Sequence, residues 1–188
     1  MRVYLLPLKD NRYRLFIKSP PEETSTTGER ATRKGLLKRT MGSLAKREKP
    51  LDRGLRDLRK FTIITVYYPQ HLSESEAKEI YQQLIQVEIK KHKRKFIVNG
   101  LLLPLSVVFT LFPGPNVVLA YLAWRTLSHY RSKKGGEKGL KEVEITFAAD
   151  PVLEDLYHLI QKKWVFKRHE KIKALGMRLG IDHLEKIY

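Results

Sequence analysis

Six histidines are the side chains of this chain best suited to acid–base or metal chemistry: His71, His92, His129, His158, His169 and His183. None stands at metal-ligand spacing from a second histidine, so each reads first as a surface or capping residue. His129 differs, because Arg125, Ser128, Tyr130 and Arg131 surround it in sequence, a set suited to contacting a phosphate. The absence of cysteine excludes a disulfide framework, a Cys-bearing zinc site and a thiol nucleophile. Gly135-Gly136 has neither the strand-to-helix context nor the following lysine of a phosphate loop, and reads as a flexible exit. No Ser-His-Asp set, carboxylate pair or dinucleotide fingerprint is present. The expectation is a protein that is not an enzyme and carries no cofactor and no metal.

Charge points to the partner. The 188 residues include 37 Lys and Arg against 20 Asp and Glu, a net charge of +17. Such a surplus repels itself unless an anionic surface or polyanion compensates it, and acidic lipid and nucleic acid are the two candidates. Residues 30–60 alone hold twelve Lys or Arg and three acidic residues. Leu37, Met41 and Leu44, then Leu51, Leu55 and Leu58 after Pro50, recur there at helical spacing. These two basic amphipathic helices either pack their leucines on the domain's own core or lie on anionic lipid.

The elements that must position these groups are legible around them. Val3–Leu8 and Arg12–Lys18 flank the polar break Lys9-Asp10-Asn11 and read as a β-hairpin. Residues 19–29 are a mobile loop by composition. Thr62–Tyr68 is β-branched and aromatic, hence a strand. Ser73 and Glu76 form a capping box for a helix that runs into Lys90–Lys95. Val143–Phe147 is a short strand, Asp150-Pro151 opens a helix, and a last helix over Lys171–Leu179 breaks near Gly180. The opening MRVYLLPLKDNRYRLF lacks the long apolar run and small-residue cleavage site of a secretory signal.

Between Phe96 and Trp124 lie twenty-nine positions without a charge. A spanning helix needs about 20 apolar residues. Pro113, Gly114, Pro115 and Asn116 interrupt this one, since each interior proline removes a hydrogen bond and clashes with the preceding turn. The quartet reads as the turn of a hairpin whose arms are Phe96–Phe112 and Val117 to about Tyr130. Both flanks are basic, which a simple span would avoid and a hairpin entering and leaving on one face allows. Lys90, Lys91, Lys93, Arg94, Lys95, Arg125, His129 and Arg131 are then the anionic headgroup contacts. Tyr121, Trp124 and Tyr130 are the interface aromatics.

Three stretches resemble a known family. They are MRVYLLPL, the core LLLPLSVVFTLFPGPNVVLAYLAWRTLSHYRSKKGG, and DPVLEDLY with IKALGMRLGIDHLEKIY near the end. Together they resemble the mitochondrial potassium–proton exchange-related proteins, small inner-membrane-associated proteins of fungi and plants with bacterial relatives. The resemblance implies a membrane protein connected with cation–proton exchange, in a mitochondrial inner or bacterial cytoplasmic membrane. Coupled transport needs an ionisable or ion-coordinating group inside the membrane, and 96–124 contains none that ionises near neutral pH. An accessory or regulatory role is the economical version.

The expected architecture is therefore α+β: a small sheet plus amphipathic helices, with a proline-broken hydrophobic helical hairpin in the membrane. The chain reads as a basic α+β region over 1–95, a membrane hairpin over 96–130, and a C-terminal strand and helices over 131–188. Its partners would be anionic lipid and a homo-oligomer or another membrane protein. The alternatives are a basic nucleic-acid-binding protein with a buried hydrophobic hairpin, and a soluble scaffold with the hairpin as its core.

Overall fold

The computed structural model describes residues 1–18, 49–107 and 117–188. Its elements are β1 (Arg2–Pro7), β2 (Tyr13–Lys18), α1 (Pro50–Asp57), β3 (Ile63–Pro69), α2 (Glu74–Val107), α3 (Val117–Lys141), β4 (Glu144–Asp150), α4 (Pro151–Gln161) and α5 (Arg168–Leu179). Short 3-10 turns follow at Leu58–Lys60 and Leu184–Lys186. The expected α+β class is found. The expected loop over 19–29, the leucines at 37, 41 and 44, and the turn Pro113–Asn116 lie outside the described residues.

The four strands form one mixed sheet in the order β2-β1-β3-β4. β1 and β2 pair antiparallel, from Arg2 opposite Lys18 to Pro7 opposite Tyr13. Asp10 and Asn11 turn the hairpin with positive φ, the left-handed conformation that Asp and Asn tolerate better than most residues. β1 with β3 and β3 with β4 run parallel, which obliges the chain to leave the sheet and return between them. β1 is buried from Val3 to Pro7, as a central strand covered on both faces must be.

Contacts divide the described chain into two compact units, and the grouping cuts across chain order. The first holds 1–18, 61–86 and 140–188; the second holds 49–60, 87–107 and 117–139. In the first unit, Tyr4 and Leu6 of β1 pack with Leu153, Leu156 and Ile160 of α4, Ile172 and Leu179 of α5, and Leu184 beyond it. Each such side chain contributes about 1.5–3 kcal/mol when fully buried. On the other face, Val3 is opposite Val66 and Val66 opposite Phe147, and the Tyr81 ring of α2 stands edge-on to Phe147 at 6.2 Å.

Local signals set the boundaries. The Ser73 hydroxyl accepts from the Glu76 N–H, and the Glu76 carboxylate accepts from the Ser73 N–H at 2.8 Å, so the capping box closes in both directions. The Asp150 carboxylate accepts from the Val152 N–H at the start of α4. Gly180 ends α5 in the left-handed conformation, and the Ile181 N–H reaches the Gly176 carbonyl at 2.8 Å.

The second unit departs from expectation at its glycines. Gly135-Gly136 is not a flexible exit: both lie inside α3 and are buried. A Cβ on Gly135 would stand 1.8 Å from the Leu55 carbonyl oxygen, so only glycine lets α3 approach the α1 backbone this closely. α2 also passes unbroken through Lys90–Lys95 and Pro104. No helix among the described residues is long and apolar enough to cross a membrane.

Candidate functional site: a buried polar cluster on three helices

One face of α3 carries Ser128, His129, Ser132, Gly135, Gly136 and Gly139, all buried. The spacing of three to four residues puts them on one stripe. The stripe is polar and small rather than leucine-rich, and it packs on α1 and α2. The Ser132 hydroxyl donates to the Asp52 backbone carbonyl at 3.0 Å. His92 of α2 is wholly buried, and its Nδ1 lies 2.9 Å from Nδ1 of His129, which is itself 2% exposed. One of the two nitrogens must carry the proton they share.

The other ring nitrogen of His92 faces two carboxylates. Nε2 lies 3.4 Å from Oδ1 of Asp52 and 3.8 Å from Oε2 of Glu88, and has no hydrogen-bond partner among the described residues. Asp52 sits in the first turn of α1 at 3% exposure. Glu88 precedes His92 by one helical turn, and both its oxygens accept from Lys91, at 2.8 and 2.7 Å. Burial alone would raise the Asp52 pKa. His92, Lys95 and Lys91 outweigh that and hold the carboxyl below its ordinary range. Burial, with Arg125, His92 and Lys95 nearby, pushes the His129 pKa down to about 4 against the pull of Asp52, so this imidazole is neutral at neutral pH. Asp52, Glu88 and His92 each aim a ligand-type atom at the others, all within 4.8 Å.

The residues expected to touch headgroups separate into two groups. His129 is turned inward against His92, where no lipid headgroup can reach it; its neighbours in sequence suggested a surface, and the α3 stripe buries it. Lys90, Lys93, Arg94 and Arg131 are exposed, while Lys91, Lys95 and Arg125 are half-buried. Lys91, Arg94 and Lys95 line a cavity of about 340 Å³ together with Val98 and Asn99. Beyond it the apolar side chains face outward, with Leu101 68% and Leu105 63% exposed. Lys93, Ile97, Leu101 and Leu105 form one i, i+4 row, and Arg94, Val98 and Leu102 form the next, so each apolar row begins at a cation. On α3, Tyr121 and Tyr130 are exposed and Trp124 is half-buried. The Tyr121 ring lies 6.1 Å from Trp124, and the Tyr130 ring 5.6 Å from Phe96.

Sequence reasoning missed the cluster of Asp52, Glu88 and His92. Glu88 and His92 at i, i+4 were the visible half of the signal. Asp52, thirty-six residues upstream of Glu88, could be joined to them only by the fold.

A second polar constellation belongs to the first unit. His71 Nε2 lies 2.8 Å from the Tyr13 hydroxyl and its Nδ1 2.7 Å from Glu154. The Tyr157 ring packs on the His71 ring at 4.0 Å between centroids. Here each ring nitrogen has a partner, and the network ties β2 and α4 to the turn after β3.

No curated protein and no solved structure is found to match the chain. The stretch that carries Glu88, His92 and the apolar rows does find a match: residues 53–143 match the model of the family described as mitochondrial K+-H+ exchange-related, the family that the sequence resembles.

Proposed function

We propose that this chain is a membrane-anchored accessory or regulatory component of potassium–proton exchange, held in a mitochondrial inner or bacterial cytoplasmic membrane. In this reading the far ends of α2 and α3 enter the bilayer as the two arms of a hairpin. Lys90, Lys93, Arg94 and Arg131 meet anionic headgroups. The observation that carries the reading is the exposed apolar row that starts at a basic residue on α2. An exposed leucine row costs free energy in water and is stabilised in hydrocarbon, while the adjoining cations gain about 1 kcal/mol each near an anionic surface.

An accessory role is favoured over a complete exchanger on physical grounds. The apolar stretch 96–124 has no side chain that ionises near neutral pH, and a single hairpin encloses no pathway for an ion. The ionisable groups of the second unit, Asp52, Glu88, His92 and His129, precede or follow that stretch.

Reconstitution tests both halves. Purified chain mixed with anionic vesicles under a potassium gradient should float with the vesicles and leave an internal pH dye unchanged. Failure to float would remove the anchor. Potassium-dependent proton flux from the chain alone would make it the exchanger itself.

A further inference from the structure

We infer that Asp52, Glu88 and His92 form a binding site for a divalent transition-metal ion of the zinc type. The inference does not depend on lipid contact and would stand if that reading failed.

The argument begins with the buried nitrogen. A fully buried imidazole nitrogen with no hydrogen-bond partner costs roughly 1–3 kcal/mol, and His92 Nε2 is such an atom. It is also aimed: the Asp52 and Glu88 oxygens lie 3.4 and 3.8 Å away. Nε2 carries either a proton that faces Asp52 or, when His92 donates its Nδ1 proton to His129, a lone pair. A cation among the three atoms takes that proton's place and turns the set into ligands.

The dimensions fit. Imidazole nitrogen and carboxylate oxygen bind zinc at about 2.0–2.2 Å, so tetrahedral ligands stand roughly 3.3–3.6 Å apart. The separation from His92 to Asp52 already has that value, that from His92 to Glu88 exceeds it by a few tenths of an ångström, and all three atoms lie within 4.8 Å of one another, so the two carboxylates would close in on an ion. One nitrogen and two oxygens suit zinc or its first-row neighbours better than calcium or magnesium, which favour all-oxygen shells. A metal-bound histidine generally anchors its second nitrogen on another group, and His129 Nδ1 at 2.9 Å is in that position. Lys91 opposes binding, because both Glu88 oxygens now accept from its ammonium. A metal must compete for that carboxylate.

Cobalt(II) titration of the full chain is the test, because four-coordinate cobalt gives intense visible absorption. The chain should take up one equivalent with those bands, and His92→Asn should abolish them. His92 is buried, so that variant can fail by misfolding. Glu88→Gln and Lys91→Gln change half-buried side chains at the edge and keep the test open. With circular dichroism unchanged, Glu88→Gln should weaken binding at least tenfold, and Lys91→Gln should tighten it by releasing the carboxylate. Absence of stoichiometric uptake, or a Glu88→Gln variant that binds as tightly as the parent, would overturn the site.

Discussion

His71 and His92 each face a carboxylate, but the two units treat them differently. In the sheet unit, His71 has Tyr13 on one nitrogen and Glu154 on the other, and its ring lies against Tyr157. In the helical unit, His92 has a partner for Nδ1 and, among the described residues, none for Nε2, although it is the more deeply buried of the two. A satisfied histidine holds elements together. A buried one without a partner beside two acids is suited to holding an ion, and that difference sets the second constellation apart from the first.

The largest effect should come from the scaffold of the open cluster. Gly135→Ala drives a Cβ into the Leu55 carbonyl, and forcing α1 off α3 should cost about 3 kcal/mol in urea unfolding. Gly100→Ala is the control. A Cβ there meets nothing within 4 Å, and the change should stabilise the helix by roughly 0.5–1 kcal/mol. Equal effects at the two glycines would dissolve the close packing on which the cluster rests.

Next comes pH. His129 is held near a pKa of about 4 in the fold and returns to about 6.5 when unfolded. Between those values the unfolded chain binds a proton that the folded chain refuses, so stability falls as pH drops from 6.5 towards 4. With metal chelated, His129→Gln should flatten that part of the stability profile by up to about 2 kcal/mol. A variant with an unchanged slope would show that the imidazole is not buried as described.

Tyr13→Phe should cost about 1 kcal/mol, the ordinary contribution of a hydrogen bond, and should leave cobalt uptake untouched. A change in cobalt binding on Tyr13→Phe would erase the contrast between the units. Smaller again, Lys93→Gln and Arg94→Gln should each weaken binding to anionic vesicles by about fivefold without affecting stability, at roughly 1 kcal/mol per charge.

What could be read in advance divides along the same line. The hairpin, the capping box at Ser73 and Glu76, the Asp150 cap and the break at Gly180 are each encoded within a few adjacent residues, and each is found. The apolar stretch announced itself by its lack of charge, and on α2 its side chains at 97, 98, 101, 102 and 105 are exposed. Gly135-Gly136 and His129 were misread because their roles come from what packs against them. Glycines in a basic sequence suggest a flexible exit until Leu55 is found pressed to the helix. Histidine among arginines suggests a headgroup contact until His92 is found facing it. Asp52 was invisible as a ligand for the same reason: its partners lie on another helix, far along the chain.

Since the chain lacks cysteine, a single Leu105→Cys substitution places one fluorescent label at the far end of the apolar row on α2. With anionic vesicles, that label should shift to the blue and be quenched by quenchers on the lipid acyl chains, whereas a label at Glu79→Cys in the sheet unit should stay in water. A Leu105 label that remains open to aqueous quenchers while the protein is bound to vesicles would contradict the membrane hairpin.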